Sequence, residues 1–254
     1  GPSDFAIRRD GEALVAGSSG AVTLWDLARS LPVQEYRDPG DWTSSANLAW
    51  SADEQQIASS VAWPLARGVF VVIHIWDVDT GAKVRTIYEE SIGYSFELAF
   101  RPDGAELASG SRLDGKVHFW DTRTGDLLGN VEGERVQYNP VGDLIATAID
   151  SSVWIWDAET KALIRKFEVG GEESELPIAF SPDGALFVAG KDRIIIWNVR
   201  DWTEVVSLPI AGGSLRSLQF SPSGKYLASV NGQTILNDGE WIRDYTATLW
   251  AIDS

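Results

Sequence analysis

Two histidines are the side chains of this sequence best suited to metal binding or acid–base catalysis. His74 and His118 each lie two positions before a tryptophan. The equivalent positions of four similar segments are Thr23, Trp154, Ile195 and Thr248. No carboxylate recurs beside either histidine at the spacing of a metal ligand, and no nucleophile has an adjacent base. We therefore predict no catalytic residue, no metal and no cofactor, and we place both histidines in strands.

Tryptophan supports a different kind of chemistry, the stacking of an indole on a cationic or planar group of a partner. Three of the 12 tryptophans, Trp42, Trp63 and Trp241, have no place in the repeated pattern described below. Each indole buries about 150–250 Å², so three exposed on one face would rival the largest patch of a typical monomer. The alternative is that each folds back onto its own loop. We predict a partner-binding set made of Trp42, Trp63, Arg67, Tyr94, Arg112, Trp241, Arg243 and Tyr245.

A recurring tripeptide marks the strands that would position these side chains. In this tripeptide, Trp follows an apolar residue and precedes an acid or a residue that replaces the acid. It occurs as Leu24-Trp25-Asp26, Ile75-Trp76-Asp77, Phe119-Trp120-Asp121, Ile155-Trp156-Asp157, Ile196-Trp197-Asn198 and Leu249-Trp250-Ala251. A period of roughly 40 residues with this ending indicates a repeat protein.

Each repeat has the pattern of four short strands. An apolar run ends in a turn such as Pro102-Asp103-Gly104, and a small-residue run and the Trp-bearing run follow. A turn such as Asp79-Thr80-Gly81 then leads to a fourth run. The acids after each Trp therefore look structural. Short strands between turn signals indicate an all-β fold, and stacking the sheets buries faces that one sheet alone would expose.

The six tripeptides in register resemble the Trp-Asp (WD) repeat β-propeller family over nearly the whole chain. The resemblance implies one six-bladed propeller over residues 1–254 that binds a protein or peptide without being an enzyme. The Gly-His pair that the family places before each inner strand is missing here. The corresponding segments are Gly40-Asp41, Gly93-Tyr94, Gly133-Glu134, Gly171-Glu172 and Gly212-Gly213. We therefore expect the Trp residues to hold the blades mostly by packing, with each indole N–H finding another acceptor.

Two repeats contain inserts between their second and third strands, at 61–68 and 231–244. The second insert contains Asn237-Asp238-Gly239, a tight-turn signal that predicts a hairpin. In a propeller these inserts emerge on the same face as the loop that carries Trp42. The fourth strand of the first blade is expected at 32–36. Because the sequence stops four residues after Trp250, we expect either a three-stranded sixth blade or a fourth strand supplied by residues outside this sequence.

The charge of the chain restricts its partners. A formal net charge of −16 disfavours nucleic-acid backbones and anionic membranes as partners. The predicted crossing loops carry Asp38, Asp41, Glu89, Glu90, Glu132, Glu134, Glu172, Glu173 and Glu175. The nearby bases are Arg37, Arg67, Arg112 and Arg135. Such a face is either a solvated rim or a surface that attracts basic segments.

The remaining expectations concern cellular context. No apolar run reaches the roughly 18 residues of a membrane span, and no signal-peptide pattern is present. With no Cys, disulfides and thiol chemistry are excluded. We expect a monomeric, soluble domain of a larger, bacterial polypeptide, with the cytoplasm as the favoured compartment. The alternatives are a small-ligand receptor or enzyme with a site at the mouth of a central channel, and a purely structural spacer.

Overall fold

A computed structural model describes residues 4–8, 10–18, 21–37, 47–65, 68–89, 95–170, 176–210, 213–237 and 240–252. This part of the chain consists of strands and turns without a helix, which confirms the predicted all-β class. It therefore also contains no helix of the length and apolarity that a membrane crossing needs. The chain divides into two compact units, residues 1–136 and 137–254.

Within the described residues, twenty-three strands form six antiparallel sheets, numbered in chain order. Sheet one contains β1 (Asp4–Ile7), β2 (Ala13–Ser18), β3 (Ala21–Asp26) and β4 (Leu31–Tyr36). Sheet two contains β5 (Leu48–Trp50), β6 (Gln56–Leu65), β7 (Gly68–Asp77) and β8 (Lys83–Glu89). Sheet three contains β9 (Ser95–Phe100), β10 (Glu106–Ser111), β11 (Lys116–Asp121) and β12 (Leu127–Glu132).

The last three sheets follow the same plan. Sheet four contains β13 (Arg135–Tyr138), β14 (Leu144–Ile149), β15 (Ser152–Asp157) and β16 (Leu163–Glu168). Sheet five contains β17 (Ile178–Phe180), β18 (Leu186–Gly190), β19 (Arg193–Asn198) and β20 (Glu204–Pro209). Sheet six contains β21 (Ser214–Phe220), β22 (Tyr226–Asn237) and β23 (Glu240–Ala251).

Within each sheet the strands pair in sequence order, as a propeller blade requires. The six repeat tryptophans all lie on third strands: β3, β7, β11, β15, β19 and β23. The described part of sheet six has three strands where the other sheets have four. Six blades and a three-stranded sixth blade are therefore confirmed. The fourth strand of sheet one begins at Leu31, one residue earlier than predicted.

The acids that follow repeat Trps accept hydrogen bonds within turns, which agrees with the structural role predicted for them. In sheet three, Asp121 Oδ1 accepts the N–H groups of Arg123 at 2.8 Å and Thr124 at 2.7 Å. Gly125 follows with φ of +83°, a conformation that glycine adopts without steric cost. Asp77 and Asp157 accept the equivalent threonine N–H at 2.8 and 2.7 Å. These carboxylates hold the connection between third and fourth strands.

The core lies between consecutive sheets of each compact unit. In the first unit, Leu24 of sheet one packs in one cluster with Trp76 of sheet two. In the second unit, Ile155 of sheet four shares a cluster with Trp197 of sheet five. The residue before the Trp thus packs on one side of a sheet, and the Trp packs on the other. Alternation of side chains along a strand gives the two residues these opposite faces.

Hydrogen bonds as well as packing hold most of the indoles. Four repeat tryptophans donate from Nε1 to a hydroxyl on the second strand, each at 2.9 Å. The pairs are Trp76 with Ser59, Trp120 with Ser109, Trp156 with Thr147 and Trp250 with Ser229. Each hydroxyl lies opposite the residue two positions before the Trp. The expectation that each indole N–H finds another acceptor is therefore confirmed for these four sheets.

Sheets one and five lack this hydroxyl because Ala16 and Ala189 occupy the equivalent position. In sheet five the aromatic rings of Phe167 and Phe187 lie 5.2 and 5.9 Å from the Trp197 ring. Packing replaces the hydrogen bond there, as the sequence-based expectation describes.

Candidate partner-binding surfaces

The first candidate surface is a hairpin that continues past its sheet. β6 and β7 pair from Gln56 opposite Asp77 to Leu65 opposite Gly68. Among the described residues, the inner strand β5 and Asn47 accompany β6 only as far as Ser60, whose N–H donates to Asn47 O. The described part of the outer strand β8 accompanies β7 only from Val71 onward. Residues 61–65 and 68–70 therefore pair only with each other among the described residues, and we call them the first hairpin extension.

Sheet six has a longer projection of the same kind. β22 and β23 pair over twelve positions, from Tyr226 opposite Ala251 to Asn237 opposite Glu240. In the part of the chain that the structure describes, the inner strand β21 accompanies β22 only as far as Gly232. Residues 233–237 and 240–244 form the second hairpin extension. The hairpin predicted from the Asn-Asp-Gly signal is confirmed.

Each extension carries one of the two tryptophans assigned to the inserts. Trp63 lies opposite Phe70, and Trp241 lies opposite Leu236. At roughly 3.3 Å per residue, about five residues carry the chain about 15 Å beyond the sheet. At Pro64 no described residue pairs with β6 on its inner side, and proline is tolerated in such an edge position.

The structure describes three further members of the predicted partner-binding set. Arg112 lies in the turn after β10, half exposed, with Nε 3.9 Å from Oε2 of Glu134. Arg243 lies on β23 opposite Thr234, and Tyr245 lies on the same strand opposite Gly232. Trp241, Arg243 and Tyr245 are alternate residues of β23.

Tyr245 is 56% exposed, and Gly232 makes room for its ring. A Cβ atom at position 232 would lie 2.5 Å from Cδ1 of Tyr245, closer than real side chains approach. Glycine at this position therefore allows the tyrosine to lie flat across the neighbouring strand.

The remaining members, Trp42, Arg67 and Tyr94, lie outside the described residues. The same holds for the acids of the predicted rim at Asp38, Asp41, Glu90, Glu172, Glu173 and Glu175. The shared face of Trp42, Trp63 and Trp241 therefore stays a prediction.

The two histidines lie within strands, as predicted. His74 on β7 is 2% exposed, with Nδ1 3.2 Å from the Thr86 hydroxyl. His118 on β11 is 8% exposed, with Nε2 3.3 Å from a carboxylate oxygen of Asp114. Over the ranges that the structure describes, no group of three or more His, Cys, Asp or Glu side chains is arranged to hold a metal ion.

The structure adds one feature that no sequence motif singles out. Leu249, the residue before the last repeat Trp, is 65% exposed. The equivalent residues of the other five sheets are 8% exposed or less: Leu24, Ile75, Phe119, Ile155 and Ile196. Leu-Trp occurs in both sheet one and sheet six, so the dipeptide itself contains no signal for this difference.

Comparisons with known proteins match this geometry. Residues 92–121, which include β9 to β11, match the family model "WD domain, G-beta repeat". The small ribosomal subunit protein RACK1y of Oryza sativa subsp. japonica is 30% identical over 139 residues, 50% of this chain and 41% of that protein. The small ribosomal subunit protein RACK1 of Caenorhabditis elegans is 27% identical over 169 residues, 61% of this chain and 49% of that protein.

A third relative matches a longer part of the chain. "Cell division cycle 20.5, cofactor of APC complex" of Arabidopsis thaliana is 29% identical over 202 residues, 72% of this chain and 42% of that protein. The chain thus spans about half the length of these relatives or less. Together with the six sheets, the matches confirm the predicted resemblance to the Trp-Asp repeat family.

Proposed function

Given its resemblance to WD-repeat proteins, we propose that this chain is a non-enzymatic module that binds a protein or peptide. The two hairpin extensions are the observation that carries this proposal. A two-stranded hairpin is marginally stable in water by itself, and both extensions project beyond the inner strands of their sheets. Apolar residues recur in both sequences, at Val61, Leu65, Ile235 and Ile242 in addition to the two tryptophans. We infer that the two extensions serve to contact a partner.

The relatives support an assembly role in general terms. One is named as a protein of the small ribosomal subunit and another as a cofactor of the APC complex, and both names describe membership of a larger assembly. We also propose that the chain is a soluble, monomeric domain of bacterial origin, with the cytoplasm as the favoured compartment. The relatives compared here come from eukaryotes.

The partner that we propose is a segment of basic or mixed charge. The net charge of −16 favours its approach by long-range attraction, which raises the association rate more than the affinity. An indole at the tip of each extension would stack on Lys or Arg side chains, at about 0.5–2 kcal/mol for each cation–π contact. The rest of the predicted set, Trp42, Arg67, Tyr94, Arg112, Arg243 and Tyr245, would complete the surface.

The test is the double substitution Trp63→Ala and Trp241→Ala, probed with an array of Lys- and Arg-bearing peptides. We expect the unaltered chain to bind a subset of these peptides and the double variant to bind them at least about tenfold more weakly. The melting temperature should change by less than about 3 °C, since the substitutions lie beyond the sheets. The matched control is Tyr88→Ala, which removes an aromatic side chain that is 71% exposed on the outer strand β8.

Two results would count against this site. Equal loss of binding in the double variant and in Tyr88→Ala would mean that general surface aromatics carry the binding. Unfolding of the double variant would mean that both indoles are core residues and that the binding site lies elsewhere.

A further inference from the structure

We propose that Asp114, in the turn between β10 and β11, is a site of spontaneous isoaspartate formation in the folded chain, with His118 as the proton donor. The site lies outside both hairpin extensions, and the test of the reaction does not depend on the function proposed above.

The reaction takes place within an Asp-Gly pair. The backbone nitrogen of the glycine attacks Cγ of the aspartic acid, and the carboxyl group loses its hydroxyl as water, for which a donor supplies one proton. The proton of the glycine N–H passes to solvent, which restores the donor. Water then adds to the main-chain carbonyl of the succinimide ring and breaks its bond to the glycine nitrogen, so the chain continues through Cγ as isoaspartate. Glycine favours the attack because it has no Cβ to obstruct it.

Four of the five Asp-Gly pairs in the sequence lie in the part of the chain that the structure describes. They are Asp10-Gly11, Asp103-Gly104, Asp114-Gly115 and Asp183-Gly184. In each pair, Oδ1 of the aspartate accepts the N–H two residues further on, at 2.8 to 3.1 Å. The four glycines have φ between +67° and +76°. The backbone geometry of these turns therefore does not distinguish one pair from another.

The group beside the second carboxylate oxygen does distinguish them. Oδ2 of Asp114 lies 3.3 Å from Nε2 of His118. Oδ2 of Asp103 lies at the same distance, 3.3 Å, from Nε of Arg101. An imidazole gives up a proton near neutral pH, whereas a guanidinium keeps its protons. Among the Asp-Gly pairs that the structure describes, Asp114 alone has a histidine beside the oxygen that must leave.

The other two described pairs hold their aspartates in the unreactive, ionised form. A hydrogen bond from Arg8 lowers the pKa of Asp10, and one from the Ser181 hydroxyl lowers the pKa of Asp183. A lower pKa favours the carboxylate over the acid at a given pH. The reaction requires the acid, so neither pair competes with Asp114.

Asp103 is the matched comparison for Asp114, since both lie in turns of sheet three. The Asp103 side chain is 52% exposed and the Asp114 side chain is 35% exposed. If access to solvent set the rate, Asp103 would react faster. If proton donation sets the rate, Asp114 reacts faster.

The modification would change the turn that contains Arg112, a member of the predicted partner-binding set. Ser111 and Lys116 pair at the ends of β10 and β11, and isoaspartate adds a carbon atom to the main chain between them. We expect the modification to displace Arg112. This consequence rests on the function proposed above, whereas the reaction itself does not.

The experiment incubates the folded chain in heavy-oxygen water at neutral pH and physiological temperature. Each passage through the succinimide leaves one heavy oxygen atom in the residue, and peptide mapping by mass spectrometry measures the rate at every aspartate. We expect Asp114 to be labelled at least about tenfold faster than Asp103, an increase at or below the usual range for a positioned proton donor. Equal labelling of the two, or faster labelling of Asp103, would overturn the proposal.

His118→Gln tests the proton donor directly. Glutamine keeps an N–H group that can face the carboxylate, but its amide does not transfer a proton near neutral pH. We expect the rate at Asp114 to fall to within about threefold of the rate at Asp103, as the loss of a proton donor requires. The matched control is His74→Gln, which changes the histidine of β7 whose Nδ1 lies beside the Thr86 hydroxyl and should leave the rate at Asp114 unchanged.

Unfolding in urea tests the same point without a substitution. The unfolded chain lacks the fixed approach of His118 to Asp114, so the two aspartates should be labelled at rates within about threefold of each other. A tenfold advantage of Asp114 that persists in urea, or in folded His118→Gln, would assign the reactivity to the local sequence and overturn the role of His118.

Discussion

Sheet three and sheet six are built from the same repeat but differ in how far their Trp-bearing strand is buried. In sheet three, β11 lies between two strands, and Phe119 before the Trp is fully buried. In sheet six, the described residues pair with β23 on one side only, Leu249 is 65% exposed, and β22 and β23 pair beyond the described end of β21. β10 and β11 pair over six positions, whereas β22 and β23 pair over twelve. The four-stranded repeat of sheet three contributes this residue to the core, whereas the three-stranded, extended repeat of sheet six leaves the equivalent residue exposed.

The difference shows that the Trp motif alone does not determine how much a repeat contributes to the core. Trp120 and Trp250 make the same 2.9 Å bond to a serine hydroxyl. The residues before them, Phe119 and Leu249, have entirely different surroundings. What a repeat contributes to stability therefore depends on the neighbours that cover its faces.

The largest effect that tests this comparison comes from truncating the residue before the Trp. Phe119→Ala should lower the free energy of unfolding by about 3–5 kcal/mol, because it leaves a cavity in a packed cluster. Leu249→Ala should lower it by about 0.5 kcal/mol or less, as expected for an exposed side chain. Urea denaturation of both variants measures the difference. Similar losses in both would mean that Leu249 is covered in solution and that the two sheets are alike.

The strand plan of both sheets could be predicted from the sequence because local signals specify it. The Trp run recurs in all six repeats, an acid follows the Trp in four of them, and the preceding turn is Pro-Asp-Gly or a variant of it; each of these signals acts over a few residues. The hairpin at 231–244 was predictable for the same reason, since Asn-Asp-Gly is a local turn signal.

The surface properties could not be predicted in the same way. Exposure of Leu249 depends on which surfaces pack against sheet six, and such packing is set by residues distant in sequence. The hydroxyl acceptors of the indoles lie 9 to 21 positions before each Trp. Their alignment depends on strand register, so the sequence predicted that each indole N–H would find an acceptor but not which residue would supply it.

An intermediate effect is expected from removing the hydroxyl acceptor. Ser109→Ala leaves the indole N–H of Trp120, a residue that is 6% exposed, without its acceptor, at a cost of about 1–3 kcal/mol. Ser229→Ala should cost less than about 1 kcal/mol, because water reaches the half-buried Trp250. Thermal or urea unfolding measures both changes.

The control for this pair is Ser109→Thr, which keeps a hydroxyl as Thr147 does in sheet four. The threonine variant should recover most of the stability that Ser109→Ala loses. If Ser109→Ala and Ser229→Ala cost the same, the two indoles share one environment, and the contrast between the sheets is confined to the residue before the Trp.

The smallest effect concerns the acid after the Trp, which sheet three has and sheet six replaces with Ala251. The backbone N–H of Thr124, followed by that of Arg123, lowers the pKa of Asp121 below its ordinary value of 3.8. A lowered folded pKa means that the carboxylate stabilises the fold fully above pH 3.8, and that this contribution disappears as the pH falls through the folded pKa. Asp121→Ala should therefore destabilise the chain modestly at neutral pH and make no difference in stronger acid.

Asp121→Asn separates the hydrogen bonds from the charge. In sheet five the equivalent Asn198 uses Oδ1 to accept the N–H of Arg200 at 2.9 Å, so an amide can form this turn. We expect the asparagine variant to keep more of the neutral-pH stability than the alanine variant while losing the pH dependence that belongs to residue 121. Urea midpoints of the three proteins between pH 2.5 and 7 provide the measurement. An unchanged pH dependence in both variants would show that Asp121 contributes no more to its sheet than Ala251 does to sheet six.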